Sequence, residues 1–372
     1  MNHDRWGVPD FTVPSAARMY DYFLGGKEHF EADRKAAEQV IAAYPETRTV
    51  ARANRRFLTR AIWYLAEHGI RQYVDLGSGM PTSPTVHEIA RQVRPDAQVV
   101  YVDNDSVVTA HCRDICDGDN DLEFIEGDIR APQSILNDLP LTGIVDLSEP
   151  VAFLCAAVLH FVHDDDEPKA IVAALRWRMA PGSYLVISHG AADVASKNIL
   201  SEIADVYQGA TAPAVPRTDE EIQEFFTGLD LVEPGVVDAR LWRSDMQEKA
   251  TKIRLLAGVG RKPRNLRKIG DPAMGDGWTA NRAATRTGQV NMSKNAAPRV
   301  ALHEFERTYL EKLLLAARVI LEAAPDLALV PDPLEVELGI FKDRVEFALL
   351  LPEAAATVTL PWRDGQADAP RA

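Results

Sequence analysis

The sequence predicts an α/β fold around a mostly parallel sheet of about seven strands, and three observations carry that expectation. Tyr73-Val74-Asp75-Leu76-Gly77-Ser78-Gly79-Met80-Pro81-Thr82 reads as a short apolar strand that reaches an acid, after which two glycines turn the chain into a helix. Gln98–Val102 and Leu122–Ile125 repeat the strand pattern and end in Asp103-Asn104-Asp105 and Glu126-Gly127-Asp128-Ile129, so three successive strands finish in carboxylates. Helical and strand patterns alternate between them, as in βαβ units with right-handed crossovers. Ligands of open α/β sheets sit outside the carboxyl ends of the strands, which would bring these acids to one crevice.

The remaining elements follow in order. The opening dozen residues read as a loose arm. Ser15 caps a short helix through Leu24 that Gly25-Gly26 stops, and a second helix runs from about Ala32 to Ala43 before Pro45. From Thr47 to His68, Val50, Phe57, Leu58, Ile62 and Leu65 recur at helical spacing, while Arg48, Arg52, Arg55, Arg56 and Arg60 read as a solvated face. A fourth strand is expected at Gly143–Leu147, leading to Ser148-Glu149-Pro150, with a helix from Val151 to Phe161 that ends near His160 and His163. The acids Asp164–Glu167 before Pro168 suit the positive end of the next helix. A fifth strand, Ser183–Ser188, ends at His189-Gly190, and Leu229–Val232 with Gly235–Trp242 reads as a terminal antiparallel pair.

After Trp242 the composition shifts. Lys and Arg outnumber acids between Met246 and Arg299 amid many Gly, Pro, Asn and Thr residues, which is linker chemistry. The basic run Arg261–Lys268 lacks interleaved aromatic residues, so a solvated linker is favoured over a nucleic-acid contact. Beyond it, Leu302, Phe305, Tyr309, Leu310, Leu313, Leu314 and Ala317 outline an amphipathic helix. Glu335–Ile340 and Val345–Leu350 alternate as strands around a turn at Lys342-Asp343-Arg344, and Ala356–Trp362 reads as a third strand. The expected divisions are a helical segment at 1–70 packed on or covering the site, an α/β core at 71–245, a basic linker at 246–299 and a small α+β module at 300–372. That module has no catalytic grouping; self-association, partner binding and substrate choice stay open for it.

The D-L-G-S-G, V-D-N-D and G-D-I segments resemble the three nucleoside-binding motifs of class I S-adenosylmethionine-dependent methyltransferases. The wording around them is similar to one uncharacterised S-adenosyl methyltransferase family of unknown function. That similarity runs through Pro14–Lys27, Gly69–Gln72, Tyr101–Asp105, Ala156–Val162 and Ala180–Leu185, and covers roughly residues 10–245. The resemblance implies a Rossmann-like sheet with one reversed strand, helices on both faces and S-adenosyl-L-methionine as cofactor. Gly77 and Gly79 would let the cofactor lie against the first turn, with Asp75 facing its amino-acid end. Asp103 would hold the ribose hydroxyls, Asn104 would shape the adenine edge, Asp128 would accept from the adenine amino group, and the Ile129 amide would face a ring nitrogen. Some amino-methylating enzymes carry an Asp/Asn-Pro-Pro-aromatic loop after strand four. Leu147-Ser148-Glu149-Pro150-Val151 departs from it, which argues against adenine or cytosine N-methylation.

His160 and His189 are the candidate catalytic acid–base groups, because an imidazole titrates near neutrality; each can equally be a satisfied core histidine. Arg18, Tyr20, Tyr22 and Lys27 read either as a lid hinged at Gly25-Gly26 or as part of a docking helix. The expected function is methyl transfer to an unidentified small-molecule acceptor, and the alternative is a ligand sensor that binds S-adenosylmethionine without transfer. A nicotinamide dehydrogenase is disfavoured, because Thr82 stands where a dinucleotide fingerprint closes with glycine.

Composition narrows the classes. At 372 residues the chain exceeds the ~150 of one ordinary domain. It has no apolar run of ~18 residues, and Met1–Arg5 lacks a hydrophobic export segment, so a cytoplasmic protein without membrane contact is expected. Cys112, Cys116 and Cys155 cannot form a paired framework, and His111-Cys112 with Cys116 reads as helix packing rather than a metal site. A net charge of −14 argues against attraction to nucleic acid.

Overall fold

The computed structural model describes residues 10–192, 197–245, 251–264, 290–292, 334–340, 344–350 and 355–361. The chain divides into two compact units, Met1–Leu266 and Arg267–Ala372. The first holds the large sheet. Its strands are β1 (Gln72–Leu76), β2 (Gln98–Asp103), β3 (Leu122–Glu126), β4 (Val151–Ala156), β5 (Tyr184–Ala191), β6 (Asp230–Leu231), β7 (Val237–Asp238) and β8 (Arg254–Arg261). They lie in the order β3-β2-β1-β4-β5-β8-β6, with β7 also paired to β8. The first five are mutually parallel, and β8 alone is reversed against β5, with Ser188 opposite Ala257.

The chain begins at the centre with β1, moves out to β3, and returns to β4 on the other side of β1. That reversal opens a crevice beyond the tips of β1 and β4, the place where such sheets bind ligands. Alternate residues of each strand feed two cores. Tyr73, Val99, Tyr101 and Leu154 pack against α3 (Thr47–Glu67), α4 (Val86–Arg91) and α5 (Ser106–Cys116). Val74, Val100, Phe153 and Cys155 pack against α6 (Pro132–Asp138) and α7 (Pro168–Arg178). The sheet is therefore mostly parallel with helices on both faces.

The N-terminal helices α1 (Ala16–Leu24), α2 (Glu31–Ala43) and α3 match the sequence expectation closely. Ser15 stands at the N-cap of α1 but does not cap it; its hydroxyl donates to Asp105 at 2.5 Å. The arginines of α3 are not simply a solvated face. Arg48 donates to the Tyr22 carbonyl, Arg55 to those of Thr82 and Pro84, and Arg60 to those of Ala239 and Trp242.

Four expectations are corrected. The fourth strand is Val151–Ala156, not Gly143–Leu147, and the expected helix over Val151–Phe161 is this strand followed by a 3₁₀ turn at Leu159–Phe161. Val151 to Cys155 is buried on both sides. A central parallel strand has no two-residue alternation, so by pattern it cannot be told from a buried helix. Leu229–Val232 and Gly235–Trp242 do not pair with each other: β6 and β7 run in line along one edge of β8, with Leu231 opposite Gly260 and Val237 opposite Ala257. Arg254–Arg261, expected within a basic linker at 246–299, is a buried core strand.

Gly258 and Gly260 gave β8 the look of a loop, and packing explains them. A Cβ on Gly260 would come within 2.9 Å of both Leu229 and Phe226, and one on Gly258 within 3.1 Å of the Phe226 ring. The second unit contributes an antiparallel sheet in the order β12-β11-β10-β9, from β9 (Val290–Met292), β10 (Leu334–Ile340), β11 (Arg344–Leu350) and β12 (Ala355–Pro361). The last three strands fall where the alternation places them. The helix expected from Leu302 to Ala317 and most of the basic run lie outside the described residues. No helix of the described residues is long and apolar enough to cross a membrane.

The position of β8 separates two truncations. A protein ending at residue 245 should lose cooperative thermal unfolding followed by circular dichroism, whereas one ending at 266 should keep it. A cooperative transition in the shorter protein would contradict the place of β8 in the core.

Candidate functional site

The site begins where β1 runs out. Gly77 and Gly79 adopt φ of +66° and +63°, a left-handed backbone that L side chains rarely take. The Gly77 and Ser78 amides donate to the Val102 carbonyl, and the Gly79 amide donates to Asp103 Oδ2 at 2.8 Å. The glycine loop is thus laced to the tip of β2. A Cβ on Gly77 would lie 2.4 Å from Val158 Cγ2, while Gly79 faces open space. Arg55 of α3 holds the far side of the loop through the Thr82 and Pro84 carbonyls at 2.9 and 2.8 Å. Between them lies a small, partly open cleft lined by Arg55, Asp75, Ser78, Thr82, Tyr101 and Cys112 among others.

The acids occupy neighbouring tips. Asp103 is buried and also accepts from the Asp105 amide at 2.9 Å; burial pushes its carboxyl up to about 6. Each oxygen uses one backbone donor, and a carboxylate offers about four acceptor positions, so capacity remains toward the crevice. Burial lifts Asp75 further, to about 7, against the pull of Arg55 and with a small push from Asp103. Its carboxyl has no hydrogen-bond partner among the described residues. Asn104 donates to Asp128 at 3.2 Å, and Arg130 clasps the same carboxylate through its backbone amide and guanidinium. Burial raises Asp128, but the Arg130 hydrogen bonds outweigh it, so its carboxyl lies below the usual range. The Ile129 side chain joins the core, while its amide has no partner among the described residues. Asp75, Gly77, Gly79, Asp103, Asn104, Asp128 and Ile129 therefore do gather around the tips of β1, β2 and β3.

The two histidines part company. His189 is fully buried; its Nδ1 donates to the Gly190 carbonyl at 2.9 Å and its Nε2 accepts from Arg217 at 3.0 Å. Burial, with Arg217 adding to it, lowers the ring to about 4 despite backbone partners that favour the charged form. With both nitrogens engaged it is a satisfied core residue, which corrects its assignment as an acid–base group. His160 lies on the 3₁₀ turn after β4, half-buried, and its Nδ1 accepts from the Gly190 amide at 3.4 Å. Burial, then His189 and Arg217, hold it well below its usual value, so it is neutral. The loop at the true tip of β4 is Ala156-Ala157-Val158-Leu159-His160, and it too lacks the Pro-Pro-aromatic pattern. Ala157 has φ of +57°, an uncommon conformation for a residue with a side chain and one that concentrates at functional sites.

Of the N-terminal candidates only Tyr20 joins the hydrogen bonds behind the tip of β4. Arg18 is 3% exposed, paired with Asp33 at 2.9 Å and Asp105 at 3.0 Å, and donates to the Val13 carbonyl. It is an internal tie between α1, α2 and the β2 tip, which corrects the reading of it as a lid group. Tyr22 turns to α2 and α3, donating to Glu38 under the Arg48 guanidinium, and Lys27 is exposed. Met19 and Phe23 are buried beneath them, so α1 is a docked helix.

Tyr20 ends a chain of hydrogen bonds that the sequence reading missed. The Ala157 amide donates to Ser188 Oγ at 2.9 Å, and Ser188 donates to Asn54 Oδ1 at 2.6 Å. Asn54 Nδ2 then donates to the Tyr20 hydroxyl at 2.9 Å, and Tyr20 to the Ala51 carbonyl at 3.0 Å. The signal for Asn54 and Arg55 was their position on the Ala51, Leu58, Ile62 stripe of α3, where an apolar residue was due.

Asp75 has a consequence for stability. A carboxyl whose folded value is raised contributes stability that is fully present below its unfolded value of 3.8 and is lost as pH rises through about 7. Urea melts of the protein without cofactor should show this decline between pH 4 and 7. Asp75→Asn should remove that part of it, gaining up to about 4 kcal/mol at pH 8, taken at ~1.4 kcal/mol per unit of displacement. Superimposable pH profiles for the two proteins would refute the burial of an unpaired acid.

The comparisons with known proteins agree with this architecture. A family model described as S-adenosyl methyltransferase matches residues 7–263. The crystal structure of a putative methyltransferase from Thermobifida fusca is 38% identical, with a TM-score of 0.64, covering 68% of this chain and 97% of its own. A DUF574 family protein from Streptomyces avermitilis is also 38% identical, with a TM-score of 0.65, covering 68% and 99%. A comparison with curated proteins finds no match. With its glycine loop, its ring of strand-tip acids and these relatives, the chain belongs to the S-adenosyl methyltransferase family and takes S-adenosylmethionine as its cofactor.

Proposed function

We propose that this methyltransferase transfers its methyl group to a small-molecule acceptor bound beyond the tips of β4 and β5. The cofactor would lie across β1 and β2. Three features of the tips suit it: the unpaired Asp75 carboxyl, the free Ile129 amide and the open space over Gly79. The observation that carries the assignment is Asp103, whose carboxylate joins the glycine loop to the β2 tip with acceptor capacity to spare.

When bound, S-adenosylmethionine supplies a sulfonium methyl already activated for transfer. The chain's own part is positioning, which can account for ~7–11 kcal/mol of a barrier in favourable cases. Asp103 would accept from the ribose hydroxyls. Asp75 would accept from the cofactor's ammonium, which would stabilise the ionised carboxylate that burial now disfavours. Asn104 and Asp128 would border the adenine, with the Ile129 amide donating to a ring nitrogen. Val158, pressed against Gly77, would separate cofactor from acceptor and help exclude water.

The test is binding of S-adenosylhomocysteine by calorimetry. Asp103→Ala should weaken it about tenfold or more, in line with a charge-assisted hydrogen bond of ~1.5–3 kcal/mol. Lys27→Ala should leave it alone. Equal affinities for the wild type and Asp103→Ala would reject the assignment.

A further inference from the structure

The tips of β4 and β5 carry a second group of side chains that the cofactor site does not use. Phe161 sits with its ring centroid 4.4 Å from His160 and 5.2 Å from Tyr207, which lies on α8 (Lys197–Gln208). Phe161, Tyr207 and Tyr20 belong to one packed cluster with Met19 and Phe23. Three aromatic side chains and an imidazole thus converge from three separate elements on the end of the sheet where a ligand is due.

Two polar atoms in this group are unpaired. Tyr207 is 6% exposed, yet its hydroxyl has no partner among the described residues. Burial, and then the neighbouring Tyr20 hydroxyl, push its phenol upward, so it keeps its proton. The hydroxyl is not among the fully buried unpaired atoms, so it reaches the surface of the group with its donor free. His160 accepts at Nδ1 from the Gly190 amide, which assigns its proton to Nε2, and Nε2 likewise has no partner among the described residues. Both atoms are therefore donors awaiting an acceptor oxygen.

The formal charges beside the group are already engaged within the protein. Arg217 is spent on the Leu159 and Val162 carbonyls, His189 and Asp164. Arg18 is spent on Asp33 and Asp105. The Tyr20 hydroxyl already both donates and accepts. A charged ligand would lose its hydration here without gaining a counter-charge.

We propose that His160, Phe161 and Tyr207, with Tyr20 at the edge, form the acceptor subsite, and that the acceptor is an uncharged aromatic molecule bearing a hydroxyl group. The rings take its flat apolar body, and Nε2 of His160 and the Tyr207 hydroxyl donate to its oxygen. Ligand sites of this kind are mostly apolar with a few convergent polar groups that set orientation. The inference rests on the methyl-transfer reading above.

The test titrates 2-naphthol, and 2-naphthoate as the charged control, into the full-length protein saturated with S-adenosylhomocysteine. The wild type should bind 2-naphthol about tenfold or more tightly than 2-naphthoate. Phe161→Ala should weaken naphthol binding about tenfold, and Tyr207→Phe about three- to tenfold, with the affinity for S-adenosylhomocysteine unchanged in both. Tyr207→Phe keeps the ring and decides the matter should Phe161→Ala fail to fold. Binding of S-adenosylhomocysteine without naphthol binding, equal affinity for the carboxylate, or variants that bind naphthol as the wild type does would each overturn the subsite alone. Failure of the wild type to bind S-adenosylhomocysteine would overturn the methyl-transfer reading and the subsite with it.

Discussion

The organisation of the site depends on two carboxylates two residues apart, Asp103 and Asp105. Asp103 takes the Gly79 amide and so fixes the glycine loop against β2. Asp105 caps α5 through the Val107 and Val108 amides and, with its other oxygen, takes the Ser15 hydroxyl and the Arg18 guanidinium. One short turn therefore joins the glycine loop, the helix after β2 and the N-terminal helices. The Arg18 pair is almost fully buried, and removing one partner of such a pair leaves an uncompensated charge worth roughly 3–5 kcal/mol. The N-terminal helices belong to the site's foundation for this reason, and α3 adds Arg55 to the wall of the cleft.

How much of this was legible in the sequence depended on how local each signal was. The glycine loop and the three strand-tip acids were readable because turn chemistry and strand ends are written in consecutive residues. The helices α1 to α3 were readable by apolar period and by Gly25-Gly26 and Pro45. Strand β4 was not, because a strand buried on both faces loses the alternation that distinguishes it from a helix. Strand β8 was hidden by Gly258 and Gly260, whose purpose is the close approach of Phe226, a residue some thirty positions away in sequence that no local pattern announces. The fate of His189 depended on Arg217 in the same way. Side chains whose partners come from distant elements carry no signature in their own neighbourhood.

The two ends of the crevice differ in character. Around β1 to β3 the chain presents acids, an arginine and free backbone donors, suited to a polar, charged cofactor. Around β4 and β5 it presents rings and neutral donors. The boundary between them is the Ala157-Val158 loop, held in a left-handed turn by the hydrogen-bond chain that runs through Ser188 and Asn54 to Tyr20. Backbone strain at that boundary is sustained because the packing and hydrogen bonding around it leave little alternative.

The topology also governs the order in which the molecule can be completed. β6 and β7 are made before β8 but pair only with it, so they have no place in the sheet until Arg261 has been synthesised. A nascent chain can assemble the five parallel strands and their crevice while the outer flank of β5 stays unpaired, an open edge of the kind that invites aggregation. Chaperone demand during translation would therefore fall on the interval between β5 and β8, after the strand tips that carry the acids have formed.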